Sequence, residues 1–179
     1  MKKNILLLFF CIANCVLNAQ EVAPLPYIEN FDPPIVHQIP EGTYRETITG
    51  NSWVAAPVTT GTYSGNVLKY TPTYEAANAW FFSKPLYLAF GHCYTIEYLY
   101  GNSSPKTSEK FKVSLCSKPA PSGVVKLISQ HNNVKGAYLN IETSSGIFVP
   151  ISGIYYIGIK AESAAYQGEL YVDELKVWQ

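Results

Sequence analysis

The sequence predicts an all-β domain, an antiparallel sandwich or jelly roll, and three observations carry that prediction. Apolar and polar residues alternate over many short runs, clusters of Gly, Pro, Asn and Ser separate those runs, and no stretch shows the apolar period of an amphipathic helix. Strands that are solvated on one face alternate in this way because successive side chains point to opposite sides of a sheet.

The chain opens with MKKNILLLFFCIANCVLNAQ. Lys2 and Lys3 precede an apolar run from Ile5 to Ile12, and small residues follow up to Ala19, the layout of a secretory signal that is too short for a comfortable membrane span. Residues 1–19 are therefore expected to leave, and residues 20–179 to form a single jelly-roll domain with a sizeable core. The competing reading is a lipoprotein signal ending at Cys15, but Asn14 stands where a small residue is expected. Without Lys2 and Lys3 the chain holds 11 basic residues against 13 acidic ones, so no basic surface for nucleic acid is implied. The expected product is exported, extracellular or periplasmic, monomeric and without a transmembrane segment.

Taken in order, PLPYIENFD (24–32) begins as an alternating strand and stops at Pro33-Pro34. From His37 to Thr73 the chain is polar and aromatic, with Gly42, Gly50, Gly61 and Gly65 marking turns between short strands near 44–49, 52–57 and 66–70. NAWFFSKPLYLAFG (78–91) reads as an aromatic strand, a break at Pro85 and a second short strand. The stretch HCYTIEYLYGNSSPKTSEKFKVSLCS (92–117) reads as a β-hairpin with two alternating arms around a Gly, Asn, Ser and Pro loop. One register pairs Tyr94 with Leu115, Ile96 with Val113 and Tyr98 with Phe111 on an apolar face. The same register sets Thr95 against Ser114, Glu97 against Lys112 and Cys93 against Cys116 on the other. Cys93 and Cys116 are also the only cysteines left after removal of the leader, so the sequence predicts a disulfide between them. VVKLIS (124–129), YLNIET, GIFVP and GIYYIGIKAES follow as further strands. In the last one, Leu170 and Val172 have opposite parity to Leu175 and Val177, and a one-residue bulge at Asp173-Glu174 lets all four face one way.

YIENFD (27–32), NAWFFSKPLYL (78–88), FGHCYTIEYLYG (90–101), GIYYIGIKAES (153–163) and LYVDELKV (170–177) occur in an order and spacing that resemble the cleaved-adhesin and choice-of-anchor J type jelly-roll domains of secreted Bacteroidetes proteins. Those domains are similar to meprin-A5-mu and carbohydrate-binding jelly rolls. The resemblance implies a non-catalytic module and often a structural calcium ion. This chain departs from the pattern at Asn78 and Ala79, where the family usually has acidic residues before its tryptophan.

Calcium needs several hard oxygen ligands. Glu29 in the first strand and Asp173 at the predicted bulge are the candidates, since first and last strands commonly lie side by side in jelly rolls and the resembling family holds its metal near these motifs. The alternative makes Glu29 a solvated strand residue and Asp173 a turn cap. His37, His92 and His131 are isolated, no G-x-S-x-G elbow occurs, and no catalytic set is visible. Trp53, Tyr63, Tyr70 and Tyr74 lie in Gly- and Thr-rich territory where an exposed ring can stack on a sugar or a protein, with packing in the core as the alternative for each. The expected function is a secreted, non-enzymatic module that recognises a glycan or a cell-surface protein. A small polysaccharide hydrolase or lyase on the same scaffold is the alternative.

Overall fold

A computed structural model describes residues 21–32, 35–58, 65–136 and 140–179. The expected leader, the lipidation position Cys15 and Tyr63 lie outside them. Among the described residues twelve strands occur in chain order: β1 (Tyr27–Glu29), β2 (Tyr44–Thr49), β3 (Val54–Pro57), β4 (Asn66–Tyr70), β5 (Asn78–Phe82), β6 (Leu86–Leu88), β7 (Tyr94–Asn102), β8 (Glu109–Cys116), β9 (Val124–Val134), β10 (Asn140–Ile147), β11 (Gly153–Ala161) and β12 (Leu170–Trp178). They form two antiparallel sheets. The first runs β10-β7-β12-β4-β3 with β1 added on β12, and the second runs β2-β5-β11-β8-β9 with β6 added on β11. One 3-10 turn, Pro121–Gly123, is the only helical element among the described residues.

The predicted alternation holds where it was strongest. Tyr94, Ile96 and Tyr98 of β7 and Phe111, Val113 and Leu115 of β8 are all buried in one core. The predicted hairpin, however, is not formed. β7 pairs with β12 and β10, whereas β8 pairs with β11 and β9, so the two arms lie in opposite sheets and their apolar faces meet across the core. Tyr98 and Phe111 do touch, with ring centroids 6.0 Å apart, through the sandwich rather than along a ladder. The predicted disulfide fails for the same reason. Cys116 is fully buried on the outward side of the second sheet, Cys93 is exposed at the start of a strand of the first, and both thiols are free. Packed sheets stand roughly 10 Å apart, which is beyond the reach of one S–S bond when one thiol also faces away.

Strand β12 is the hinge of the architecture. One of its edges is shared by β4, paired at Leu170–Val172, and β1, paired at Leu175–Val177. Its other edge carries β7, whose register shifts between Asp173 and Lys176. That shift is the predicted bulge. It leaves Leu170, Val172, Leu175 and Val177 all fully buried, and it turns Glu174 to φ 47°. Burying such a side chain is worth about 1.5–3 kcal/mol, so the bulge gains more than the local strain costs.

Candidate functional site

At one end of the sandwich, the β4–β5 connection and the β11–β12 connection lie against each other. The Tyr166 amide donates to the Thr73 carbonyl at 2.9 Å and the Ala77 amide to the Ser163 carbonyl at 2.8 Å. Thr73 also makes a tight local turn, its hydroxyl accepting from the Glu75 amide at 3.1 Å. The two loops present Tyr74, 73% exposed, and Tyr166, 76% exposed. Tyr166 sits at φ 58°, a region that non-glycine side chains rarely adopt, and the bond to Thr73 holds it there. Each ring presents an apolar face and a polar tip to solvent, the two kinds of contact a sugar or a protein surface can use.

The loops stand on a fixed base. Asn51 donates from its side chain to the Thr71 carbonyl at 3.0 Å, and Gly50 donates from its amide to the Glu75 carboxylate at 3.3 Å. On the far side, Glu169 takes Lys69 at 3.1 Å and the Tyr171 hydroxyl at 2.7 Å, and its amide donates to the Ser103 hydroxyl at 2.9 Å. Below them the Glu109 side chain is fully buried, and burial pushes its carboxyl up against the opposing bonds from the Ser163 hydroxyl and the Gly168 backbone.

Of the aromatic candidates among the described residues, only Tyr74 is displayed. Trp53 and Tyr70 belong to the core, 0% and 1% exposed, with their rings edge to face at 5.8 Å. The Trp53 indole donates to the Ala79 carbonyl at 3.0 Å, and the Tyr70 hydroxyl receives the Asn51 amide at 3.4 Å. Both are therefore part of the base and not the display. The exposed edge strand β2 precedes Trp53 in the sequence, and Trp53 turns under it, its carbonyl accepting from the Arg45 side chain at 2.9 Å. Tyr166 was not among the sequence candidates. Its signal was an aromatic between Ala165 and Gln167-Gly168, in the break before the last strand.

Strand pairing carries Glu29 and Asp173 to the same corner of the first sheet. Glu29 lies opposite Leu175 on β12, next to the bulge that carries Asp173, and both carboxylates are buried, each 7% exposed. Asp32 closes the seam between β1 and β4, its carboxylate accepting from the Asn66 amide at 3.2 Å and side chain at 3.1 Å. Glu29 accepts from the Phe31 amide and the Tyr27 hydroxyl, each at 3.2 Å, and Phe31 lies at φ 54°. Burial first, then the charges of Glu174 and Asp32, pushes the Asp173 carboxyl up to about 7. Burial also raises Glu29, against the opposing bonds from Phe31 and Tyr27. Oxygen donors with unbalanced negative charge suit a hard cation in kind. No group of three or more His, Cys, Asp or Glu side chains converges at metal-holding distance among the described residues.

Comparison with solved structures agrees with this architecture. The K1 cleaved adhesin domain of Lys-gingipain from Porphyromonas gingivalis W83 superposes with TM-score 0.66 at 12% identity, covering 86% of this chain and 98% of that domain. The fold is that of the cleaved adhesin domains. TmCBM61, solved in complex with β-1,4-galactotriose, matches with TM-score 0.58 at 9% identity over 78% of this chain and 89% of its own. The arabinose-bound arabinofuranosidase MgGH51 matches with TM-score 0.60 at 8% identity over 83% of this chain, but over only 25% of the enzyme. Neither a protein-family profile nor a curated protein sequence matches the chain. No helix among the described residues is long and apolar enough to cross a membrane.

Proposed function

We propose that the protein is an exported, non-enzymatic recognition module that holds a glycan or a cell-surface protein against Tyr74 and Tyr166. The observation that carries this reading is the pair of exposed tyrosines on two loops fixed by the Tyr166–Thr73 bond. A loop held in place before contact loses little entropy on binding, and truncating an aromatic anchor on it typically costs about 2 kcal/mol or more of affinity. Adhesin and carbohydrate-binding modules on the same fold support the reading, although fold likeness alone does not transmit function. The test is a glycan array and a pull-down from cell-surface extract, each with product analysis, on the wild type, Tyr74→Ala and Tyr166→Ala. The expected result is retention of intact ligand by the wild type and loss of roughly 30-fold or more in either variant, with the melting transition unchanged. Release of shortened sugar chains would establish the enzymatic alternative.

We also propose that Glu29 and Asp173 hold calcium, with Asp32 and backbone carbonyls of the bulge as further donors. Bound there, the cation would neutralise the buried carboxylates and tie the first strand to the last. A ligand present at a hundred times its dissociation constant adds about 2.7 kcal/mol to folding, about 5–10 °C for a chain of this size. Metal-free protein whose melting temperature does not rise with added calcium at pH 8 would reject the site.

A further inference from the structure

The outward face of the second sheet carries a hydrophobic cluster separate from the core, made of Trp80, Phe82, Cys116 and Tyr156 with Tyr44 against it. Gly158 lies at its centre, and a Cβ there would stand 2.8 Å from the Cys116 sulfur and 3.2 Å from the Phe82 ring. The missing side chain is thus what lets the Phe82 ring lie inward over the sheet. Trp80 stacks on Phe82, centroids 5.5 Å apart and planes within 4°. Beside the aromatics runs a charged row. Lys160 stands 5.7 Å from the Trp80 ring centroid and shares Glu162 with Lys112, at 2.7 and 2.9 Å.

Two polar atoms on this face are buried without a hydrogen-bond partner among the described residues: the Trp80 indole N–H and the Asn78 side-chain carbonyl. Natural proteins rarely leave such atoms unpaired. The contrast with Trp53, whose N–H is bonded to the Ala79 carbonyl, is direct. Asn78 and Trp80 are two positions apart on β5, which places them on one side at a spacing of roughly 6.6 Å along the strand. One atom requires an acceptor and the other a donor. A ligand carrying only carboxylates or only ammonium groups satisfies one of the two, whereas ring hydroxyls of a saccharide serve as both. A peptide backbone also offers both, but it binds sheets by adding to an edge, and β5 is flanked on both sides by β2 and β11.

We propose that this face is a second saccharide-contact surface, in which the Trp80 N–H and the Asn78 carbonyl bond sugar hydroxyls once the Lys160 side chain swings off the indole. It shares with the tyrosine pair only the class of ligand and stands or falls separately. The experiment uses ¹⁵N-labelled protein with the indole resonances of Trp53, Trp80 and Trp178 assigned through Trp→Phe variants. It is titrated with β-1,4-galactotriose, xylohexaose and a wider panel of soluble oligosaccharides. Saturable movement of the Trp80 indole N–H with at least one sugar, with Trp53 static, is expected. Trp80→Phe, which keeps the ring and deletes the donor, should weaken that sugar about tenfold, and Asn78→Ala should do the same. A response of the Tyr74 and Tyr166 loops with Trp80 unmoved, no response to any sugar, or a Trp80 response confined to peptides would each overturn the proposal. A Trp80 response with both tyrosines silent would support it and refute the loop reading instead.

Discussion

At Trp53 a single substitution separates packing from recognition. Trp53→Ala removes a fully buried ring together with its bond to Ala79, so a loss of about 3–5 kcal/mol in urea denaturation is expected. An unchanged midpoint would return Trp53 to the surface. The thiols give a second check. Cys93 is exposed and should react fully with an aromatic disulfide reagent in native protein. Cys116, buried and pushed up to about 12 by that burial, should react only after unfolding. A single slow phase for both would contradict the placement. Composition around a residue could not distinguish Trp53 from Tyr74, because each stands beside Thr and turn-forming residues; what differs is which of them the fold turns under a neighbouring strand.

Between strands, what was legible in the sequence was parity and what was not was partnership. Alternation is a local property, so the buried faces of β7 and β8 and the bulge in β12 could be read from residue types alone. Pairing is set by contacts distant in sequence. The complementary charges Glu97 and Lys112 look like a cross-strand pair, yet Glu97 meets Lys176 at 3.4 Å, and Lys112 meets Glu162. The adjacency of β1 and β12, which sets Glu29 beside the bulge, was legible because first and last strands commonly lie side by side in jelly rolls. This corner also makes a pH prediction. Asp173 and Glu29 both hold their protons more tightly when folded, so their contribution is fully present below the ordinary carboxylate range and falls as pH rises, that of Asp173 being lost through about 7. Metal-free protein should therefore lose on the order of a few kcal/mol between pH 5 and 8 in denaturant titrations, and Asp173→Asn should recover much of it at pH 8. A stability that climbs over the same interval would show that these carboxylates are balanced by something else.

Across the whole molecule, the tyrosine pair sits at an end of the sandwich and the Trp80 cluster on the broad face of one sheet, so a single long glycan and two separate ligands make different demands on geometry. The first and last strands add a mechanical consequence. Tyr27 lies opposite Val177 in an antiparallel ladder only three residues long. Tension applied through residues 21 and 179 therefore pulls on that end of the ladder and opens its bonds one after another, as a zipper, instead of loading them together in shear. Such a clasp yields at low force. Because Glu29 and Asp173 stand at the opposite end of the same short ladder, a cation between them would act as the stop on the zipper. Pulling single molecules by their ends should show an early, small extension step that calcium delays and Glu29→Gln restores, and a module anchored by one end to a cell under flow would then yield first at β1, leaving the Tyr74 and Tyr166 loops intact.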